Sequence, residues 1–110
     1  MIAAIAEKQT AIAELCSRFG VRKLELFGSA ATGDFEHSRS EVDFIVEFPE
    51  NYDFGPWLSR LSQFERSLTA LFDFRVNLIS PSALRNPWFR REAEKARVTV
   101  YHASGEPEIA

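Results

Sequence analysis

The sequence predicts one small α/β domain, a β-sheet with helices packed on it, and three observations carry that prediction. The chain has 110 residues, the size of a single domain. Helix-spaced and strand-spaced apolar patterns follow one another in the order α-β-β-α-β-α-β. Gly, Pro and Ser mark the joins, with no linker, internal repeat or low-complexity segment. The order of elements leaves the topology open.

Each element has its own signal. Over residues 2–19, Ile2, Ile5, Ile12, Leu15 and Phe19 recur at helical spacing between charged residues, and Gly20 is a plausible stop. Val21 to Phe27 alternates apolar and charged residues, as a half-buried strand does. Residues 28–33 are a small-residue turn, and Asp34 to Ser40 reads as a polar loop. Val42 to Phe48 is the strongest strand, ended by Pro49-Glu50-Asn51. Over residues 56–72, Trp57, Leu61, Phe64, Leu68 and Leu71 form the apolar stripe of a second helix. Phe74 to Ile79 is a third strand, and Ser80-Pro81-Ser82 is a break suited to cap a short turn. Trp88 to Ala96 is a charged helix, Arg97 to Tyr101 a last strand or extended tail, and His102 to Ala110 a frayed end.

Composition excludes several classes. Thirteen basic residues face sixteen acidic ones, a net charge of −3, which argues against a general nucleic-acid coat built on counterion release. Apolar residues at 45% and charged ones at 26% are the mix of a soluble globular domain. Ten Phe residues supply bulk that a short chain needs for its core. One cysteine, Cys16, permits no intrachain disulfide, and helical placement predicts that it packs. Charges at Glu7 and Lys8 interrupt the apolar N-terminus before it resembles a signal peptide, and no apolar run reaches the ~18 residues of a membrane span. The expected location is the cytoplasm, away from any membrane.

Two short stretches carry chemistry. Leu26-Phe27-Gly28-Ser29 runs a strand into a Gly-Ser turn, where Gly admits close backbone approach and Ser offers a hydroxyl and an amide to a phosphate. Glu41-Val42-Asp43 opens the next strand with two carboxylates on one expected face, about 6–7 Å apart at the backbone. Two such carboxylates repel unless a hard divalent cation lies between them, most simply Mg²⁺, which would also hold triphosphate oxygens. Taken singly, a Gly-Ser after a strand is most often a turn, and an acidic pair at a strand edge is most often a solvated face. Their order and spacing together outline a phosphoryl- or nucleotidyl-transfer site. The turn GSAATG is neither a dinucleotide fingerprint nor a P-loop.

Leu26-Phe27-Gly28-Ser29-Ala30-Ala31-Thr32-Gly33, a short loop, and then Ser40-Glu41-Val42-Asp43-Phe44-Ile45-Val46-Glu47-Phe48 resemble the minimal nucleotidyltransferases of the DNA polymerase β superfamily. Val76-Asn77-Leu78-Ile79-Ser80-Pro81 is similar to the segment that ends the third strand in that family, and the resemblance covers nearly the whole chain. It implies a nucleotidyltransferase-like mixed sheet over residues 1–103, with 104–110 as a disordered tail. It implies transfer of a nucleoside monophosphate from ATP or another NTP to a hydroxyl. Gly28 and Ser29 would cradle the phosphates, Glu41 and Asp43 would hold Mg²⁺, and position 77 would complete the catalytic metal site. A HEPN-type protein is the partner the resemblance implies.

Three positions depart from the family pattern: Thr32 replaces an Arg, Glu41 an Asp, and Asn77 the third Asp. Glu41 keeps its charge but adds a methylene to a site where Mg²⁺ wants tight octahedral geometry. Asn77 has greater weight, since an amide carries no charge and accepts no proton. Weakened or absent catalysis with the fold retained is the expectation, and the alternative is an antitoxin or regulatory subunit that works by binding. Asp73 and Glu47 lie four residues from Asn77 and Asp43, about 13 Å along a strand, and read as strand-end charges. His37 and His102 read as exposed. Arg85, Arg90, Arg91, Lys95 and Arg97 form a basic cluster, either a solvated helix face or a contact for RNA, triphosphate or an acidic protein. Trp57, Trp88 and Phe89 are expected to leave an apolar patch exposed.

Overall fold

A computed structural model describes residues 3–27, 41–72, 74–95 and 97–103, with the side chains of residues 41 and 95 left aside. Helix α1 (Ala3–Ala6) and helix α2 (Gln9–Phe19) replace the single helix read from the sequence. The Lys8 N–H bonds to the Ile5 carbonyl at 3.0 Å, a three-residue return that breaks the four-residue ladder. That offset places Ile5 and Ile12 fully in the core. Gly20 ends α2 at φ 72°, where the Val21 N–H bonds to the Cys16 carbonyl at 2.9 Å.

Strands β1 (Lys23–Phe27), β2 (Glu41–Glu47), β3 (Arg75–Ile79) and β4 (Arg97–His102) form one mixed sheet in the order β3-β2-β1-β4. β1 is antiparallel to both of its neighbours, and β2 runs parallel to β3. Helix α3 (Ser59–Thr69) is the crossover that a parallel pair requires. The last segment is a true strand, with a register shift between Leu24 and Glu25 on its partner.

One face of the sheet, with Leu24, Leu26, Val42, Phe44 and Val76, packs against Ile12, Leu15, Phe64 and Leu68 of α2 and α3. The other face sets Phe27 and Ile45 against Ala93 of helix α4 (Pro87–Lys95). Coverage on both faces explains the consecutive apolar residues Phe44, Ile45 and Val46 in β2. Ser80 caps a short 3₁₀ turn, Pro81–Arg85, and accepts the Ser82 N–H. The Asn86 side chain then caps α4 by accepting the Trp88 and Phe89 N–H groups at 2.9 and 3.3 Å.

Trp57 leaves the helical stripe that its spacing suggests, and is exposed as expected of an aromatic on the surface. It lies in a 3₁₀ turn, Pro56–Leu58, before α3 begins, and is 97% exposed. Trp57 and Leu58 both adopt left-handed backbone, φ 56° and 55°. For non-glycine residues that costs roughly 1–2 kcal/mol each. Helical spacing alone could not see that Gly55-Pro56 redirects the chain.

Cys16 is fully buried, and burial pushes its thiol pKa up to about 12. The thiol therefore stays protonated and unreactive in the folded chain. Iodoacetamide at pH 8 is expected to leave the folded protein unmodified and to alkylate the urea-unfolded protein readily, as mass spectrometry would show. The sign for stability follows. Well below the unfolded thiol's ordinary pKa of about 8.5 the group is almost wholly neutral in both states and contributes little pH dependence. Above that the unfolded thiol ionises first, so stability falls as pH rises toward 12.

Candidate functional site

One row of residues crosses the whole sheet. Arg97 of β4 pairs with Phe27 of β1, Phe27 with Asp43 of β2, and Asp43 with Asn77 of β3. The antiparallel β1–β2 pairing sets the end of β1 beside the start of β2, so the chain leaves Phe27 toward Gly28 next to Asp43. Gly28, Ser29 and Thr32 themselves lie outside the described residues, as do His37 and Asp73. Glu41 opens β2 opposite Arg75, and its side chain also lies outside them.

Asp43 and Asn77 are half-buried and in direct contact. The Asn77 Nδ2 donates to Asp43 Oδ1 at 3.1 Å. A neutral amide thus meets the carboxylate where the family pattern has a second carboxylate. Among the described residues no three His, Cys, Asp or Glu side chains group as metal ligands. The donor chemistry of this pair is nevertheless all-oxygen toward a cation: the Asp43 carboxylate and, with its amide turned, the Asn77 carbonyl. Such a set suits a hard ion such as Mg²⁺ and carries one negative charge, which fits one ion held with phosphate oxygens better than two.

The same face holds an ion pair that the sequence reading missed. Glu25, 7% exposed, accepts from Arg97 Nε at 2.9 Å and Nη2 at 2.8 Å, with Lys23 Nζ at 3.8 Å. The Glu25 hydrogen bonds raise the Arg97 pKa above its ordinary value, and partial burial opposes them. Arg97 therefore opens the last strand, as its position after the charged helix suggested, and is paired within the sheet instead of serving the basic cluster. A charge in mid-strand flanked by Leu24 and Leu26 was the available signal, since such a residue needs a partner when buried.

Other expectations sort plainly. Glu47 is a half-exposed strand-end charge, 3.6 Å from Arg22. Arg85, Arg90 and Arg91 are exposed, and His102 is exposed at the end of β4. Trp88 is 63% exposed, whereas the Phe89 ring packs edge-on against Phe27 at 5.3 Å. An apolar cavity of about 420 Å³, lined by Phe48, Phe54, Leu58, Leu61, Leu78 and Pro81, opens at the far end of β2 and β3. No helix among the described residues is long and apolar enough to cross a membrane.

The chain is similar to known proteins over most of its length. The nucleotidyltransferase domain family model matches residues 8–100. The protein adenylyltransferase MntA of Thermococcus cleftensis is 38% identical over 73 residues, 66% of this chain and 69% of that protein. A solved structure described as a candidate minimal nucleotidyltransferase superposes with a TM-score of 0.68 at 25% identity, covering 89% of this chain and 95% of the other. A chain from the Shewanella oneidensis complex of tri-AMPylated HEPN toxin with MNT antitoxin shares the fold, with a TM-score of 0.59 at 13% identity over 96% of this chain and 78% of that one.

Proposed function

The chain belongs to the nucleotidyltransferase domain family, and on that premise we propose that it is a slow, Mg²⁺-dependent adenylyltransferase acting on a hydroxyl of a protein partner. The observation that carries the reading is the Asp43–Asn77 contact beside the end of β1. The acceptor oxygen attacks the α-phosphorus of ATP, the bond to the bridging oxygen breaks, and pyrophosphate leaves. The hydroxyl proton needs a base. Asn77 cannot take it, and among the described residues Asp43 is the carboxylate in contact with that position. Gly28 and Ser29 would hold the phosphates, and Asp43 with Glu41 would hold Mg²⁺. When bound, that ion supplies charge neutralisation on the triphosphate and electron withdrawal at the α-phosphorus. Asn77 removes one negative charge from this set, which is the source of the expected slowness.

The partner reading rests on likeness to the MNT antitoxin complexed with its HEPN toxin. A second reading, binding of ATP and partner without transfer, draws on the same Asn77 amide, which already occupies one oxygen of Asp43.

α-Labelled ATP with Mg²⁺ and a candidate HEPN-type acceptor tests both readings. Label on the acceptor from wild type, lost in Asp43→Ala, is the expected result. ATP binding without label would favour the second reading. Neither binding nor label would overturn both.

A further inference from the structure

We propose that the hydroxyl acceptor is an extended peptide segment that adds to the open edge of β3, with an acidic side chain two positions from the hydroxyl held by Arg75. The proposal rests on the transfer reading above and names the class of acceptor for it.

Arg75 opens β3 and is exposed. It makes no hydrogen bond or ion pair with another described residue. Other arginines near the sheet are engaged: Arg97 with Glu25, Arg22 with Glu47, and Arg60 with the Tyr52 hydroxyl and the Phe19 ring. Glu41 stands opposite Arg75 in register, and its carboxylate is already assigned to Mg²⁺ in the transfer reading.

The position of this cation gives it a role. Arg75 and Asn77 are two apart in β3, so their side chains leave one face, about 6–7 Å apart at the backbone. On that face Asn77 reaches Asp43. In the order β3-β2-β1-β4, the end of β1 lies on one flank of Asp43 and β3 on the other. Nucleotidyl transfer is an in-line displacement, so the attacking oxygen and the departing pyrophosphate take opposite sides of the α-phosphorus. With pyrophosphate on the β1 flank, the hydroxyl arrives on the β3 flank, beside Asn77 and within reach of Arg75.

The edge itself supplies the means of docking. β3 is an outer strand, so one side of its backbone has no strand partner among the described residues. Val76 is buried, while Asn77, Leu78 and Ile79 are only half covered. An extended peptide laid on such an edge gains main-chain hydrogen bonds and is held in register. Its same-face residues then stand opposite Asn77 and Arg75, which sets the hydroxyl and the acid two positions apart. A carboxylate there gives the guanidinium a charge-assisted, bidentate partner. A nucleic acid also offers hydroxyls and negative charge. One arginine on a chain of net charge −3 is no track for its phosphates, and its backbone cannot extend a β-ladder.

Three dye-labelled peptides test the proposal, each with one tyrosine as its sole hydroxyl and with Glu, Gln or Lys two positions to either side. Fluorescence anisotropy reads their binding to the full chain, and α-labelled ATP with Mg²⁺ reads transfer. The Glu peptide is expected to bind, and to be labelled with a KM, at least about fivefold below the Gln peptide, with the Lys peptide weakest. Arg75→Gln should erase this preference through KM and not kcat, and Arg75→Glu should turn it toward the Lys peptide, with circular dichroism confirming the fold. N-methylation of alternate amides of the Glu peptide should cost at least about tenfold in binding for one of the two alternating sets and little for the other. Binding of no peptide, binding or label without preference for Glu, or a preference unchanged in Arg75→Gln overturns the proposal. So do full binding by both methylated peptides and Arg75-dependent binding of a single-stranded RNA in place of the peptides. Arg75-dependent binding of the Glu peptide without label upholds the docking site and removes the transfer reading. Label without preference for Glu does the reverse.

Discussion

Asn77→Asp is expected to raise nucleotidyl transfer by about 10²–10³-fold, the usual worth of one preorganised charge aimed at a transition state. The substitution puts a carboxylate where the amide now donates to Asp43 Oδ1 at 3.1 Å. It converts an attraction into a repulsion, so the variant has a second readout that does not depend on turnover. Without divalent cations it should be less stable than wild type by roughly 1–2 kcal/mol, through the lost hydrogen bond and the new like-charge contact. Mg²⁺ should restore the loss and raise the melting temperature more in the variant than in wild type. Thermal scans with and without Mg²⁺, beside labelled-ATP assays, report both effects. Adding Glu41→Asp corrects the second departure. If neither the single nor the double variant transfers faster than wild type, the missing carboxylate is not what limits the chemistry.

The second large effect concerns stability alone. Arg97→Met strands Glu25, whose side chain is 10% exposed, without the two hydrogen bonds that satisfy its carboxylate. Breaking such a pair costs about 3–5 kcal/mol when fully buried. Lys23 at 3.8 Å and the 29% exposure of Arg97 moderate that to about 2–3 kcal/mol here. The double substitution Glu25→Met, Arg97→Met removes both charges and should fall within about 1 kcal/mol of wild type. Urea denaturation of wild type and the two variants gives the comparison. Equal losses in the single and double variants would mean that the pair's stabilisation lies in packing and not in charge.

Much of the fold was legible because burial writes periodicity into sequence. Leu24 and Leu26 alternate with charges, and β2 carries the consecutive apolar residues Phe44, Ile45 and Val46 because both of its faces are covered there. The misreadings have local or long-range causes. The break at Lys8 follows from one shortened hydrogen bond, which side-chain spacing does not record. Trp57 fits helical spacing, yet Gly55-Pro56 turns it outward. Arg97 looked like one more cation of a basic cluster, and its partner lies 72 positions away. The juxtaposition of Asp43 and Asn77 was legible through family resemblance, since neither residue's spacing announces a neighbour 34 positions off. The sense of the contact, amide donating to carboxylate, required the structure.

The row Arg97–Phe27–Asp43–Asn77 has a kinetic consequence. Its members come from four separate stretches of chain, and β1 gains its second neighbour only from the last strand. Loops of this length are slow to close, and contacts of high sequence separation delay folding. During synthesis β1 and β2 can pair early, but β1 keeps one open edge until residue 97 and beyond has emerged. The Glu25–Arg97 pair then fastens that late arrival, so the strand added last is held by a two-point ion pair.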